Sequence, residues 1–194
     1  MNDNILCIYY SRTGHTERVM REIAAALDCE VLRVRDRVDR AGVAGWLRCG
    51  LDAMRKRTHP VNRLHMEHRL SEYDLVILGT PVWAGRCSAV MRGFLKRRGL
   101  ELQDVALVLT HASEEPYRAV FDQIDGYLMR PHIEDVSLQP GSAGYFFWRD
   151  QFIKAIADRM GIEPKPVPEN EAEEAAAEAK AEPPAEAGAP ETER

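Results

Sequence analysis

Ser11-Arg12-Thr13-Gly14-His15-Thr16 sets three hydroxyls and a glycine between the apolar run Ile5-Leu6-Cys7-Ile8-Tyr9-Tyr10 and an amphipathic stretch. The pattern predicts a strand turning into a helix, whose first N–H groups have no intrahelical partner and carry the positive end of the helix dipole. Such a turn holds an anion. A nucleoside-triphosphate loop would read G-x-x-x-x-G-K-[ST]. This turn has neither that spacing nor the lysine, so a single terminal phosphate is the expected ligand. A helix cap alone would need only Ser11 or Thr13, and six polar or glycine residues exceed that need.

Two more segments carry chemistry. Thr80-Pro81-Val82-Trp83-Ala84-Gly85 is read as a loop after the apolar run 75–79, and its indole is costly to leave wet unless it covers something flat. Packing under the following helix is the alternative for Trp83. Thr110, His111 and Ser113 are small polar groups able to line the edge of a heterocycle. Other chemistries fit less well. Cys7 and Arg12 fall one residue short of the C-x5-R of a low-molecular-weight tyrosine phosphatase, and Cys7 lies inside the strand pattern, where a free cysteine acts as a small hydrophobe. Cys87 is read as a helix-start residue. His59, His65 and His68 fit no zinc spacing and read as surface histidines, and no Ser-His-Asp order or paired carboxylate stands out.

The elements that must position these loops alternate between strand and helix patterns, the signature of a parallel sheet covered on both faces. Strands are expected at 4–10, 29–34, 75–79, 105–110 and 133–138. Helices are expected at 14–27, 88–98 and 117–128, and through Trp148, Phe152, Ile153, Ile156 and Met160 until Gly161 ends the last one. Between the second and third strands, Val43, Trp46, Leu47, Leu51 and Met54 share one helical stripe despite Gly42, Gly45 and Gly50. Trp46 and Trp148 are read as core.

In an open parallel α/β sheet, ligands bind beyond the carboxyl ends of the strands where the strand order reverses. The three loops leave strands at that edge, and together they resemble the FMN site of the flavodoxin family over about residues 3–162. "YYSRTGHTERV" is similar to the family's phosphate loop and "ILGTPVWAGR" to its first isoalloxazine loop. The resemblance implies an α/β, flavodoxin-like three-layer sandwich: a five-stranded parallel sheet in order 2-1-3-4-5 with helices on both faces. It implies that Ser11, Arg12, Thr13, Gly14, His15 and Thr16 surround the phosphate of FMN. Pro81, Val82, Trp83, Ala84 and Gly85 would flank the ring system, with a backbone carbonyl at Ala84-Gly85 turning toward the flavin N5–H, and Thr110, Ala112 and Ser113 would meet the pyrimidine end.

The chain also departs from the family pattern. Arg12 and His15 stand in a loop that is typically uncharged, and "THASEEPY" has no second stacking aromatic, which opens one flavin face. The implied function is electron transport between redox protein partners. An FMN-dependent NAD(P)H:quinone-type oxidoreductase and a flavin-free interaction module are the alternatives.

Charge and composition bound the partners. Nine of the 31 acids but only two of the 26 bases fall in 169–194, so residues 1–168 carry 22 acids and 24 bases. Residues 31–70 hold ten Arg or Lys against four Asp or Glu, which reads as a solvated basic face or a dock for an acidic protein. No nucleic-acid motif accompanies it. From about residue 163 the Ala/Glu/Pro composition cannot offset the entropy of ordering, so a folded domain over 1–162 and a disordered acidic tail over 163–194 are expected. Four cysteines without metal spacing, together with apolar runs no longer than strands, point to a soluble cytoplasmic protein with no membrane partner.

Overall fold

A computed structural model describes residues 2, 4–38, 40, 42–64, 66, 68–113, 115 and 117–167. In chain order its strands are β1 (Ile5–Tyr9), β2 (Glu30–Arg33), β3 (Leu75–Trp83), β4 (Arg86–Cys87), β5 (Asp104–Thr110) and β6 (Glu134–Leu138). The helices are α1 (His15–Leu27), α2 (Gly42–Met54), α3 (Ala89–Arg98), α4 (Arg118–Asp125) and α5 (Tyr145–Met160). The sheet runs β2-β1-β3-β5-β6, all parallel, with the two-residue β4 antiparallel to the end of β3. Counting the parallel strands alone, this is the expected order 2-1-3-4-5.

Alternation along each strand feeds two apolar layers. Ile5, Cys7, Ile77 and Val108 meet α1 and α5 through Val19, Ile23, Ile153 and Ile156. Leu6, Ile8, Val76 and Leu107 meet α3 and α4 through Met91, Phe94, Val120 and Ile124. Cys7 is fully buried, as its strand pattern implied. Among the described residues no helix is long and apolar enough to cross a membrane.

Four sequence expectations change. The expected loop at 80 is strand: Thr80 and Pro81 pair with Leu109 and Thr110, and the chain reverses only at Ala84-Gly85. Both turn residues have positive φ (48° and 66°), the sense that lets a two-residue hairpin follow the twist of its strands. Cys87 lies in β4 rather than in a helix and is buried, which pushes its thiol pKa up to about 11 despite the hydrogen bond from Thr80. Trp148 is exposed because the next residue, Arg149, takes the inward position, where its guanidinium reaches Glu22 at 2.8 Å. Trp46 is exposed for a related reason: α2 turns Gly45, Cys49, Asp52 and Ala53 inward and its apolar stripe outward.

Of the expected tail, 168–194 lies outside the described residues. Residues 163–167 run without regular structure against the domain, with Lys165 N–H donating to the Ala26 carbonyl (2.8 Å) and its ammonium 2.9 Å from Asp28.

His132 clamps α4 to β6, with Nδ1 2.8 Å from Asp125 and Nε2 3.2 Å from Asp135. Burial alone would lower its pKa, but the two carboxylates outweigh burial and hold it above the ordinary histidine value. A raised folded pKa stabilises fully below the unfolded pKa and loses that contribution as pH rises through the folded one. His132→Gln is therefore expected to cost about 0.5–1 kcal/mol in mildly acidic buffer and progressively less at alkaline pH. Urea midpoints of the two proteins across that range read the narrowing gap; a gap that widens with pH contradicts it.

Candidate functional site

The first loop follows β1. Ser11 is buried, and its Oγ accepts the Gly14 N–H at 3.0 Å, closing the turn on itself. Gly14 sits at φ 92° as the residue before α1, a conformation that side chains disfavour. No side chain caps α1: its N-cap residue is Gly14, and the Ser11 hydroxyl is spent on the Gly14 N–H. The first-turn donors are left for a ligand. Thr13 and His15 are exposed beside them.

Three contacts tie this loop to the others. Thr16 Oγ1 meets Thr110 Oγ1 at 2.7 Å, both side chains being buried. The Arg12 guanidinium lies over the Trp83 ring, 5.3 Å from its centroid. Pro81 pairs in register with Thr110. The sequence-predicted residues therefore share one edge, the carboxyl ends of β1, β3 and β5. Pro81, Val82 and Trp83 are half-buried there, with Ala84 and Gly85 exposed at the hairpin tip.

In the third loop Ala112 is exposed, and Ser113 Oγ meets the Tyr117 hydroxyl at 2.7 Å. His111 Nδ1 donates to the Ser113 carbonyl, so its Nε2 accepts from the Ser137 hydroxyl at 2.9 Å. Burial lowers the His111 pKa and outweighs those hydrogen bonds, leaving a neutral ring that pins the loop to β6. The Thr110 and Ser113 hydroxyls are thus committed within the protein and shape the loop.

Sequence reasoning missed Arg33. From the end of β2 its NH2 donates to the Ser11 carbonyl (2.8 Å) and its NH1 pairs with Glu17 (3.0 Å), bracing both sides of the first turn. Only the register of β2 beside β1 could have revealed it. A cavity of about 420 Å³ opens beside the turn, lined by Ser11, Arg12 and Thr13 on one wall and Arg33, Arg35 and Arg40 on another. Asp36, the acid in its lining, is paired with Arg40 at 2.8 Å, so the cavity carries positive potential next to the expected anion. Among the described residues no group of acids, histidines and cysteines could hold a metal. His59 pairs with Asp52 at 3.2 Å, His68 is exposed, and His65 is outside the described residues.

No family model and no curated protein matches this sequence significantly. Solved structures do match. A Bacteroides eggerthii protein assigned as a flavoprotein aligns over 84% of this chain and 100% of its own at TM-score 0.65 and 18% identity. The chain has the flavodoxin-like fold. A Lactobacillus acidophilus flavoprotein solved in complex with FMN aligns over 75% of this chain and 98% of its own (TM-score 0.57, 19% identity). A flavodoxin, WrbA-like protein of Agrobacterium tumefaciens aligns over 81% and 96% (TM-score 0.51, 17% identity). In flavodoxin-like terms the three loops lie at the sheet edge where the strand order reverses between β1 and β3.

Proposed function

We propose that this chain binds FMN across the three loops and works as a redox protein that passes electrons between protein partners. The observation that carries the reading is the pair of unsatisfied donors at the loop junction. Arg12 Nε and Trp83 Nε1 are buried without a hydrogen-bond partner among the described residues, beside a helix start that no side chain caps. Buried donors are rarely left so. A ligand with acceptor oxygens would answer both, and FMN has them on its phosphate and its ring; the FMN complex of the structurally similar L. acidophilus protein supports the choice.

In this reading the backbone of Arg12 to Thr16 binds the phosphate, and the positive cavity raises its local concentration. Trp83 supplies an aromatic face and excludes water. The Ala84-Gly85 turn, already at positive φ, offers the Ala84 carbonyl at the hairpin tip, while the Gly85 carbonyl accepts from Gln123 Nε2 at 3.5 Å. FMN supplies electron-transfer chemistry when bound. Trp83→Ala is expected to weaken FMN binding about tenfold, by loss of stacking and of apolar cover, read by flavin fluorescence titration. An unchanged affinity would place the ring away from Trp83, and a parent protein that binds no FMN would favour the flavin-free interaction module.

One observation favours a reductase of quinone-type acceptors using NAD(P)H as a second reading. His111 is bonded through both ring nitrogens and Tyr117 through its hydroxyl to Ser113, so neither aromatic of the third loop is free to cover a flavin. A redox titration and a stopped-flow mix separate the two. Two resolved one-electron steps with no bleaching by NADH or NADPH fit the carrier; rapid bleaching by either nucleotide overturns it in favour of the reductase.

A further inference from the structure

α2 is built inside out. Val43, Trp46, Leu47, Leu51 and Met54 are 47–76% exposed, whereas Gly45, Cys49, Asp52 and Ala53 face the protein. The orientation is locked by charge. Buried Asp52 pairs with buried Arg40 at 3.1 Å, Arg40 pairs with Asp36 at 2.8 Å, and Arg92 donates to the Asp52 carbonyl at 3.1 Å. A Cβ on Gly45 would run into the Arg40 carbonyl, so the helix rests directly on that backbone. Rotating the apolar stripe inward would break the Asp52–Arg40 pair and leave Arg40 with Asp36 alone. The stripe faces outward by design of the network beneath it.

The exposed charges of the described segment that carries the stripe have one sign. Arg48, Arg55, Lys56, Arg57 and Arg63 are exposed, and among the described residues from 42 to 64 no Asp or Glu is exposed. We propose that α2 is an interfacial helix that seats this protein on an anionic lipid surface. A helix of this length, about 20 Å, lies in the plane of the headgroups with its apolar side chains below and its cations among the phosphates. Trp46 is suited to that boundary, having an apolar body and one polar N–H. A second copy fits worse, because a two-fold pairing of this face brings the same cations together. The face is also a convex stripe, to which lipid conforms without a matching groove. The expectation of no membrane partner came from the lack of a spanning segment, and an interfacial helix needs none. The inference does not rest on flavin binding.

Sedimentation of the full-length protein with phosphatidylcholine vesicles, with and without phosphatidylglycerol, tests it. Binding to the anionic vesicles is expected at least about tenfold tighter than to the neutral ones, and it should weaken as salt rises. Leu47→Ser/Leu51→Ser should reduce it about tenfold or more while leaving the thermal unfolding profile in place, since both side chains are exposed. Brominated lipids should quench indole fluorescence in the parent and much less in Trp46→Phe. Failure to bind anionic vesicles overturns the proposal, as does binding that the double variant leaves intact. A solution dimer that the same variant dissociates also overturns it and assigns the face to a second copy.

Discussion

Gly14→Val is expected to weaken FMN binding about a hundredfold while lowering stability by only about 1 kcal/mol. A Cβ at this position meets nothing within 4 Å, so the effect is conformational rather than a clash. At φ 92° an L-residue pays about 1–2 kcal/mol, and a β-branched one more. The turn escapes that cost by relaxing, which moves the Thr13 to Thr16 donors off the phosphate. One charge-assisted hydrogen bond lost is about 1.5–3 kcal/mol, whose upper end is about two powers of ten. Gly14→Asn, whose side chain tolerates left-handed backbone, should lose much less. Flavin fluorescence titrations of the three proteins read the order. Equal affinities would place the phosphate elsewhere.

Arg40→Ala should destabilise the fold by about 3–5 kcal/mol, more than any other single change considered. The Arg40 side chain is 6% exposed and holds Asp36 and Asp52, themselves 3% and 5% exposed, so its removal leaves Asp36 buried without its cation and Asp52 with His59 alone at 3.2 Å. The cost is that of stranded charge rather than the worth of the pairs. Removing the whole set, Arg40→Met with Asp36→Ala and Asp52→Ala, should therefore recover a large part of it. Urea unfolding of both variants measures the difference. A single variant within about 1 kcal/mol of the parent would show that α2 is held by something other than this network.

The first loop was legible because what it requires is local: a glycine where φ turns positive and a helix start whose hydroxyl is spent on the turn itself. β1, β3 and β5 were legible because strands buried on both faces read as unbroken apolar runs. The end of β3 was not, since Pro81 and Gly85 punctuate it and Ala-Gly is not among the usual signals of a two-residue hairpin. Helical periodicity found the α2 stripe but could not say which way it faces. That depends on Arg40 reaching Asp52, twelve residues away, a contact no repeat encodes. Trp148 was misplaced for the same reason, its inward neighbour Arg149 being held by Glu22 from α1. Arg33 was lost in a count of basic residues, because its role exists only once β2 lies beside β1.

The central claim is that the three loops form one flavin site whose phosphate end is the first turn. Titrating the flavin-stripped protein with FMN and with riboflavin, following flavin and indole fluorescence together, tests it most directly. The account predicts one site per chain, quenching of both signals, and FMN bound at least tenfold tighter than riboflavin, the phosphate contributing about 1.4 kcal/mol or more. A protein that leaves both flavins unquenched would contradict it.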